Sequence, residues 1–521
     1  MKLNEWTVVL AAAGIVSWGG VATGAEAAPA AKPATDAAGW VASPTPAPTT
    51  TPSTSPSGTV VGSKANLGFW SRWDQAWREQ LGAPAFTETP APAPGAPAPA
   101  PTRRGLPAPF DSPPFPTGEW QLGGTPSIGD PNLTPDSPLM EALYQGPHGQ
   151  AWADSRVKFY GWVDGSANLS TSQKSGVGVN GQAGNFPLSY GQRPNQVELD
   201  QAVYYLERTP DEFQTDHVDW GFRVSGVYGL DYRYMISRGL FSNQLIVNNR
   251  FYGYDMPMVY ADLYLPQVAQ GMNIRVGRII SEADIEAQLA PNNPMSTHSL
   301  LYTFDPYTME GIFTSTKLND QWTVQAGLAN GNDVALWQKD RGNQPTGVLM
   351  LQYVSKDNKF SFYGGANSFN NGDFGYNNLQ QFVGTLSYKF NEKVWTSWET
   401  WYMFMHHATT GPTAAVPYQN GFFPVKAGYA PEWATLDYTM FRLGPGTFFT
   451  VRNEIFNDIV GQRTGYNTVY TENAVGITYW PDKLITFRPE IRFDHSYAKA
   501  AYDNGSRHNQ LVGSFDIILY F

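Results

Sequence analysis

From Arg156 to its last residue the chain alternates apolar and polar positions with a period of two. The end of the chain shows this most plainly. In Asn509-Gln-Leu-Val-Gly-Ser-Phe-Asp-Ile-Ile-Leu-Tyr-Phe521, Leu511, Gly513, Phe515, Ile517, Leu519 and Phe521 share one face of a strand. Ser514, Asp516 and Tyr520 share the other. Such a strand presents one row of side chains to each of two media. The pattern predicts about sixteen strands, at roughly 157–169, 196–207, 217–229, 257–265, 272–280, 307–317, 321–330, 346–355, 359–368, 379–390, 393–405, 432–443, 447–457, 470–480, 484–496 and 510–521.

The connections alternate in length. Short links fall around Pro210-Asp211 and at Pro266–Gly271, Leu318–Asp320, Lys356–Asn358, Asn391-Glu392, Gly444–Gly446 and Pro481–Lys483. Longer ones fall at about 171–195, 230–256, 281–306, 331–345, 369–378, 406–431, 458–469 and 497–509. Membrane-spanning barrels have short turns on one side and long loops on the other, and a soluble β-sandwich has no reason to alternate in this way. The expected fold is all-β: a transmembrane antiparallel up-and-down β-barrel of about sixteen strands in a bacterial outer membrane. An even strand number leaves both ends of the barrel on the periplasmic side.

Charged positions identify the face that lines the lumen, because Arg or Lys at the bilayer midplane costs roughly 2–4 kcal/mol. In Thr486-Phe-Arg-Pro-Glu-Ile-Arg-Phe-Asp494, the charges Arg488, Glu490, Arg492 and Asp494 alternate with Phe487, Pro489, Ile491 and Phe493. In Val197–Tyr205, Glu198 and Asp200 point one way, with Val197, Leu199, Val203 and Tyr205 expected on the other face. By the same logic Arg223, Asp262, Arg275, Glu310, Arg452 and Glu454 are lumen candidates. These mixed charges suit a transverse field across a water-filled channel. The alternative is a set of ladders that only neutralise one another. Within the third long connection, Ser281–Asn293 opens with a capping residue and an acidic run. It is the candidate for a segment folded into the lumen, with Glu282, Asp284 and Glu286 facing the arginines. The alternative is a solvated external helix.

Composition supports this picture. The chain has 17 Trp, 28 Tyr and 29 Phe but only 15% charged residues, and Trp and Tyr favour membrane interfaces. Beyond the amino terminus no apolar run approaches the roughly 18 residues of a spanning helix. Cysteine is absent, which excludes disulfides, thiolate catalysis and Cys-bound metal. A net charge of −11 argues against nucleic acid as a partner.

Residues 1–27 read as a signal peptide. Lys2 precedes the apolar run Trp6–Trp18, and small residues follow at Thr23–Ala27. Residues 28–152 form a Pro/Ala-rich extension, expected to be an extended periplasmic spacer. Inside it Phe69, Trp70, Trp73, Trp77 and Leu81 recur at helical spacing, predicting a short amphipathic helix at 66–82. That helix is expected to dock on the barrel, the cell wall or the inner leaflet of the outer membrane; the alternative is an isolated helix that is only partly formed. The barrel itself is assigned to 153–521.

Several motifs carry little. Gly176-Val-Gly-Val-Asn-Gly181 matches a dinucleotide fingerprint but lacks the strand and helix that such a site needs. His406 and His407 are neighbours on an extended chain and would need His298 to hold a metal. Neither G-x-S-x-G nor H-E-x-x-H occurs, which leaves Ser496 beside His495 as a weak hydrolase candidate. No cofactor, metal or catalytic residue is assigned.

Val475-Gly-Ile-Thr-Tyr-Trp-Pro481, the following Leu484–Asp494 and the opening Phe159-Tyr-Gly-Trp-Val-Asp164 resemble the OmpL-like β-barrel porin-2 family. The resemblance covers roughly residues 155–521 and implies a porin that passes small hydrophilic solutes or ions. Expected partners are outer-membrane lipid, the barrel-assembly machinery and, through the extension, peptidoglycan. A homotrimer is a candidate assembly that no residue here specifies. The alternatives are a plugged barrel with a tethering role and an outer-membrane hydrolase.

Overall fold

Alternating strands bury one face only if the sheet curls on itself, and a sheet in lipid must leave no unpaired edge. This chain meets both demands by closing. The computed structural model describes residues 59–84, 137–173, 184–188, 190–280, 284–338, 345–357, 359–370, 379–391, 393–408 and 428–521. Residues 1–27, most of the Pro-rich extension, the motif at 176–181 and Glu282 lie outside the described residues.

Sixteen strands are seen among the described residues. They are β1 (Val157–Ser170), β2 (Val197–Arg208), β3 (Asp219–Gly229), β4 (Gly253–Asp255 and Val259–Leu265), β5 (Met272–Ile280), β6 (Thr308–Lys317), β7 (Trp322–Asn332) and β8 (Thr346–Val354). The second half is β9 (Phe360–Phe369), β10 (Gln380–Asn391), β11 (Val394–Ala408), β12 (Gly428–Gly444), β13 (Thr447–Asp458), β14 (Thr468–Asp482), β15 (Ile485–Ser496) and β16 (Asn509–Tyr520). Each pairs antiparallel with its neighbours in sequence. The two pieces of β4 both pair with β3, so they act as one interrupted strand. The first of these pieces lies where a loop was expected.

β1 also pairs with β16, from Trp162 opposite Tyr520 to Ser170 opposite Val512. That ladder closes the barrel. On β16, Leu511, Phe515, Ile517 and Leu519 stay exposed while Val512, Asp516, Ile518 and Tyr520 are buried. The exposed row is the lipid face. No helix among the described residues is long and apolar enough to cross a membrane.

One strand departs from its expected phase. Asp164 pairs with Gln201 while Gly165 pairs with Leu199, which leaves Asp200 as the extra residue of a β-bulge. Asp200 and Gln201 both turn inward, and every later residue of β2 changes side. Val203 and Tyr205 are therefore buried inside the barrel, and the lipid-facing position expected for them is corrected. Tyr204 takes the outer face instead. Gly229, with φ +151°, passes so close to this bulge that a Cβ would lie 2.0 Å from the Asp200 carbonyl oxygen.

Three helices gather at the end of the barrel that carries the short turns: α1 (Phe69–Gln80), α2 (Pro138–Tyr144) and α3 (Gly149–Ser155). Gly82 donates its backbone N–H to Asp482 at 3.1 Å, and Lys483 donates to the Ala83 carbonyl at 3.2 Å. α1 buries Arg72, Ala76 and Gln80, not its aromatic stripe. Arg72 donates to the Ala142 carbonyl and Gln80 to Glu141, so a polar seam joins α1 to α2. Trp70 remains exposed.

The lipid face makes a direct prediction. Ile491 sits outward near the middle of β15, whereas Leu511 sits outward near the end of β16. Ile491→Arg should lower folding stability in lipid vesicles by about 2–4 kcal/mol, and Leu511→Arg by about 0–1 kcal/mol. Equal losses in denaturant titrations would contradict this placement.

A loop bound inside the lumen

Residues 284–306 follow β5 and carry almost no regular structure, so their backbone groups need partners from elsewhere. The barrel wall supplies them. Ile285 donates its N–H to Glu399 on β11 at 2.8 Å. Thr297 donates to Glu490 on β15 through both its N–H, at 2.8 Å, and its hydroxyl, at 2.5 Å. Ser296 Oγ donates to the same carboxylate at 3.0 Å. Leu300 and Leu301, at the start of a single helical turn, donate their N–H groups to Glu454 on β13. In return, Arg488 donates one nitrogen to the Ala290 and Asn293 carbonyls, at 2.6 and 2.7 Å. Arg492 donates to the His298 carbonyl.

At the centre lies Arg452. It is fully buried and donates to Glu472 at 2.6 Å, Glu490 at 3.1 Å and Glu286 at 3.1 Å. It also donates to the Thr297 carbonyl at 2.6 Å. Glu286 comes from the loop and the other two acids from the wall. Arg492 extends the chain of charges to Glu472 and Asp494. Arg488 pairs with Asp516 on β16. Tyr438 and Ser299 donate hydroxyls to Glu286. Buried charges survive only when paired and hydrogen-bonded in this way.

Seven of the expected residues thus meet at one side of the lumen: Glu286, Arg452, Glu454, Arg488, Glu490, Arg492 and Asp494. Asp284 is different. It shares hydrogen bonds with Asp305 and Glu399 and faces acids, not arginines. Burial, and then the nearby Asp284, hold the Asp305 carboxyl well above the usual range. The other expected residues lie apart from this network. Arg223 pairs with Glu207 at 2.7 Å, and Asp262 with Arg275 at 2.8 Å. Arg275 lies over the Tyr260 ring at 3.7 Å. Glu310 accepts the Leu336 N–H at 2.7 Å. Glu198 and Asp200 lie buried on β2, near Asp231.

Glu399, Glu472 and Asp516 complete the network but were not singled out as candidates. Their signal was available, since each sits at an inward phase of its strand. Which acid meets which arginine had no sequence signal. His298 is buried within the loop and stacks on Tyr190, with ring centroids 3.8 Å apart. His406 and His407 are exposed on β11, so the three histidines do not come together. Ser496 Oγ donates to the Lys499 carbonyl at 2.6 Å, and His495 contacts Asn509, so this pair makes no nucleophile and base.

Burial, and then the three nearby arginines, push the His298 imidazole down to about 3, opposed by its contact with the Ala287 carbonyl. The unfolded chain takes up this proton near 6.5, whereas the folded chain resists it until about 3, so acid favours unfolding. Between pH 6.5 and 5 the protein should lose about 1.5 kcal/mol relative to His298→Gln, read from guanidinium unfolding at each pH. Equal slopes for the two proteins would contradict a neutral buried imidazole. Arg452→Met should cost about 3–5 kcal/mol, since three acids lose their shared partner. The same unfolding assay measures it, and a loss under about 1 kcal/mol would mean that the loop is held by other contacts.

The chain is similar to several solved outer-membrane proteins. An anion-selective porin from Comamonas acidovorans is 10% identical, with 70% of this chain and 99% of that chain covered and a TM-score of 0.44. The outer-membrane channel DcaP of Acinetobacter baumannii is 9% identical, with 70% and 97% covered and a TM-score of 0.44. OmpT, an outer membrane protein of Vibrio cholerae solved in a trimer form, is 8% identical, with 70% and 99% covered and a TM-score of 0.40. No curated protein matches the chain. The family model described as "Putative beta-barrel porin-2, OmpL-like" matches residues 156–521, the whole of the barrel. With that match, and with a closed barrel of sixteen strands among the described residues, the chain belongs to the OmpL-like beta-barrel porin-2 family of outer-membrane porins.

Proposed function

We propose that this porin gives small hydrophilic solutes or ions a passive path across the outer membrane, with segment 284–306 as its constriction. One observation carries the reading. The segment is tied to the β11–β16 wall by charged side chains, while a polar cavity lies between it and β1–β2. A filter needs charged walls held rigidly around an unfilled space, and the Arg452 network supplies such rigidity. The charges at Glu198, Asp200, Arg223, Asp262, Arg275 and Glu310 line the rest of the proposed path.

The remaining assignments follow from this reading. Residues 1–27 direct export and 28–152 lie in the periplasm, beside the short turns that meet α1. The barrel-assembly machinery inserts the chain, and the mature protein works without a catalytic residue. A homotrimer and a peptidoglycan contact through the extension fit a porin with this architecture. A second reading is favoured by the density of the loop itself: nearly every described residue of 284–306 is buried. In that reading the barrel is plugged and the protein serves as a tether.

Conductance separates the two. Purified mature protein added to a planar lipid bilayer should give discrete, stable current steps. A barrel that inserts without conducting would reject the open path and leave the plug.

A further inference from the structure

We propose that the lumen cavity between Asp164, Asp200 and Asp231 is a binding site for an organic ammonium cation. This rests on the open-path reading and adds to it the class of solute that the path prefers.

The cavity is small and is lined by Asp164, Asp200, Asp231, Tyr190, His298 and Arg488, among others. Three elements aim the acids into it. Asp164 points inward from β1. Asp200, the unpaired bulge residue of the adjacent β2, also points inward. Asp231 stands on the short helix after β3, where Gln201 donates to it at 2.8 Å. Glu198 lies near both Asp200 and Asp231.

Positive charge does not balance this group. Among the described residues Arg488 is the one arginine in the cavity wall, and its hydrogen bonds go to Asp516 and to two loop carbonyls. His298 holds the Ala287 carbonyl through Nε2, and its imidazole stays neutral above about 3. The surplus has unmet bonding capacity as well. Asp164 and Asp200 are each more than nine-tenths buried, and each has a carboxylate oxygen without a hydrogen-bond partner. Unpaired buried carboxylates are unfavourable and call for a positive donor. No set of three ligands converges as a metal ion requires among the described residues. Acids spread around a cavity suit an ammonium group, whose several N–H donors reach different walls.

Reversal potentials in a methylammonium chloride gradient test this. The wild-type channel should prefer methylammonium over chloride. The triple variant Asp164→Asn, Asp200→Asn, Asp231→Asn should lose that preference roughly tenfold, as about 1.4 kcal/mol of lost cation stabilisation produces. Asp216→Asn removes a charge from an exposed short turn and should change nothing. Heat-modifiable electrophoretic mobility verifies that each variant is folded. A folded triple variant with unchanged selectivity overturns the proposal. Should the wild-type barrel conduct nothing, the open path fails, and crystals soaked in 2-bromoethylammonium decide the site separately. Bromine anomalous density between the three acids supports it, and an empty cavity overturns it.

Discussion

The guanidinium of Arg452 stands at the centre of the contacts that join the loop to the barrel wall. A barrel of sixteen strands encloses far more space than its own inward side chains fill. A loop can enter that space only if its backbone groups, and any charge it carries, find partners there. Glu286 brings a charge into the lumen, and Arg452 answers it while also holding Glu472 and Glu490 on neighbouring strands. Isolated, such an arginine would be expelled into water. Surrounded by three acids, a carbonyl and a tyrosine hydroxyl, it becomes the fixed point around which the loop is laid down.

The interior is divided by this arrangement. Along β13 to β16 each arginine is matched by acids, and the loop backbone takes up the remaining hydrogen bonds. Asp164, Asp200 and Asp231, on β1, β2 and the short helix after β3, form no ion pair with an arginine among the described residues. The bulge at Asp200 keeps that carboxylate inward, as strict alternation would, and turns Gln201 inward beside it. A single extra residue thus changes the phase of β2 and brings Gln201, which donates to Asp231, inside the lumen.

The helices at the short-turn end follow a different logic. The aromatic stripe of α1 has the spacing of a buried helix face, yet the buried face is Arg72, Ala76 and Gln80. The reason is the partner. α2 offers the Ala142 carbonyl and the Glu141 carboxylate as hydrogen-bond acceptors, and the polar side of α1 meets them. Periodicity identifies that a helix has two faces. It does not identify which one a neighbour will choose.

Sixteen strands, their order, the lipid face of β15 and β16 and the inward charges Arg488, Glu490, Arg492 and Asp494 were all legible in the sequence. Each depends on local alternation, and a charge in hydrocarbon is costly enough to assign the face without further information. The family resemblance was legible for the same reason, since it rests on strand and turn patterns. What the sequence left open is all long-range. Arg452 meets Glu286 across 166 residues, and Asp284 meets Asp305 and Glu399 instead of an arginine. Val203 and Tyr205 change sides because of a bulge that only the register of β1 against β2 reveals. Alternation is a property of neighbours in the chain, whereas pairing is decided by closure of the barrel, which brings together side chains that no local pattern connects.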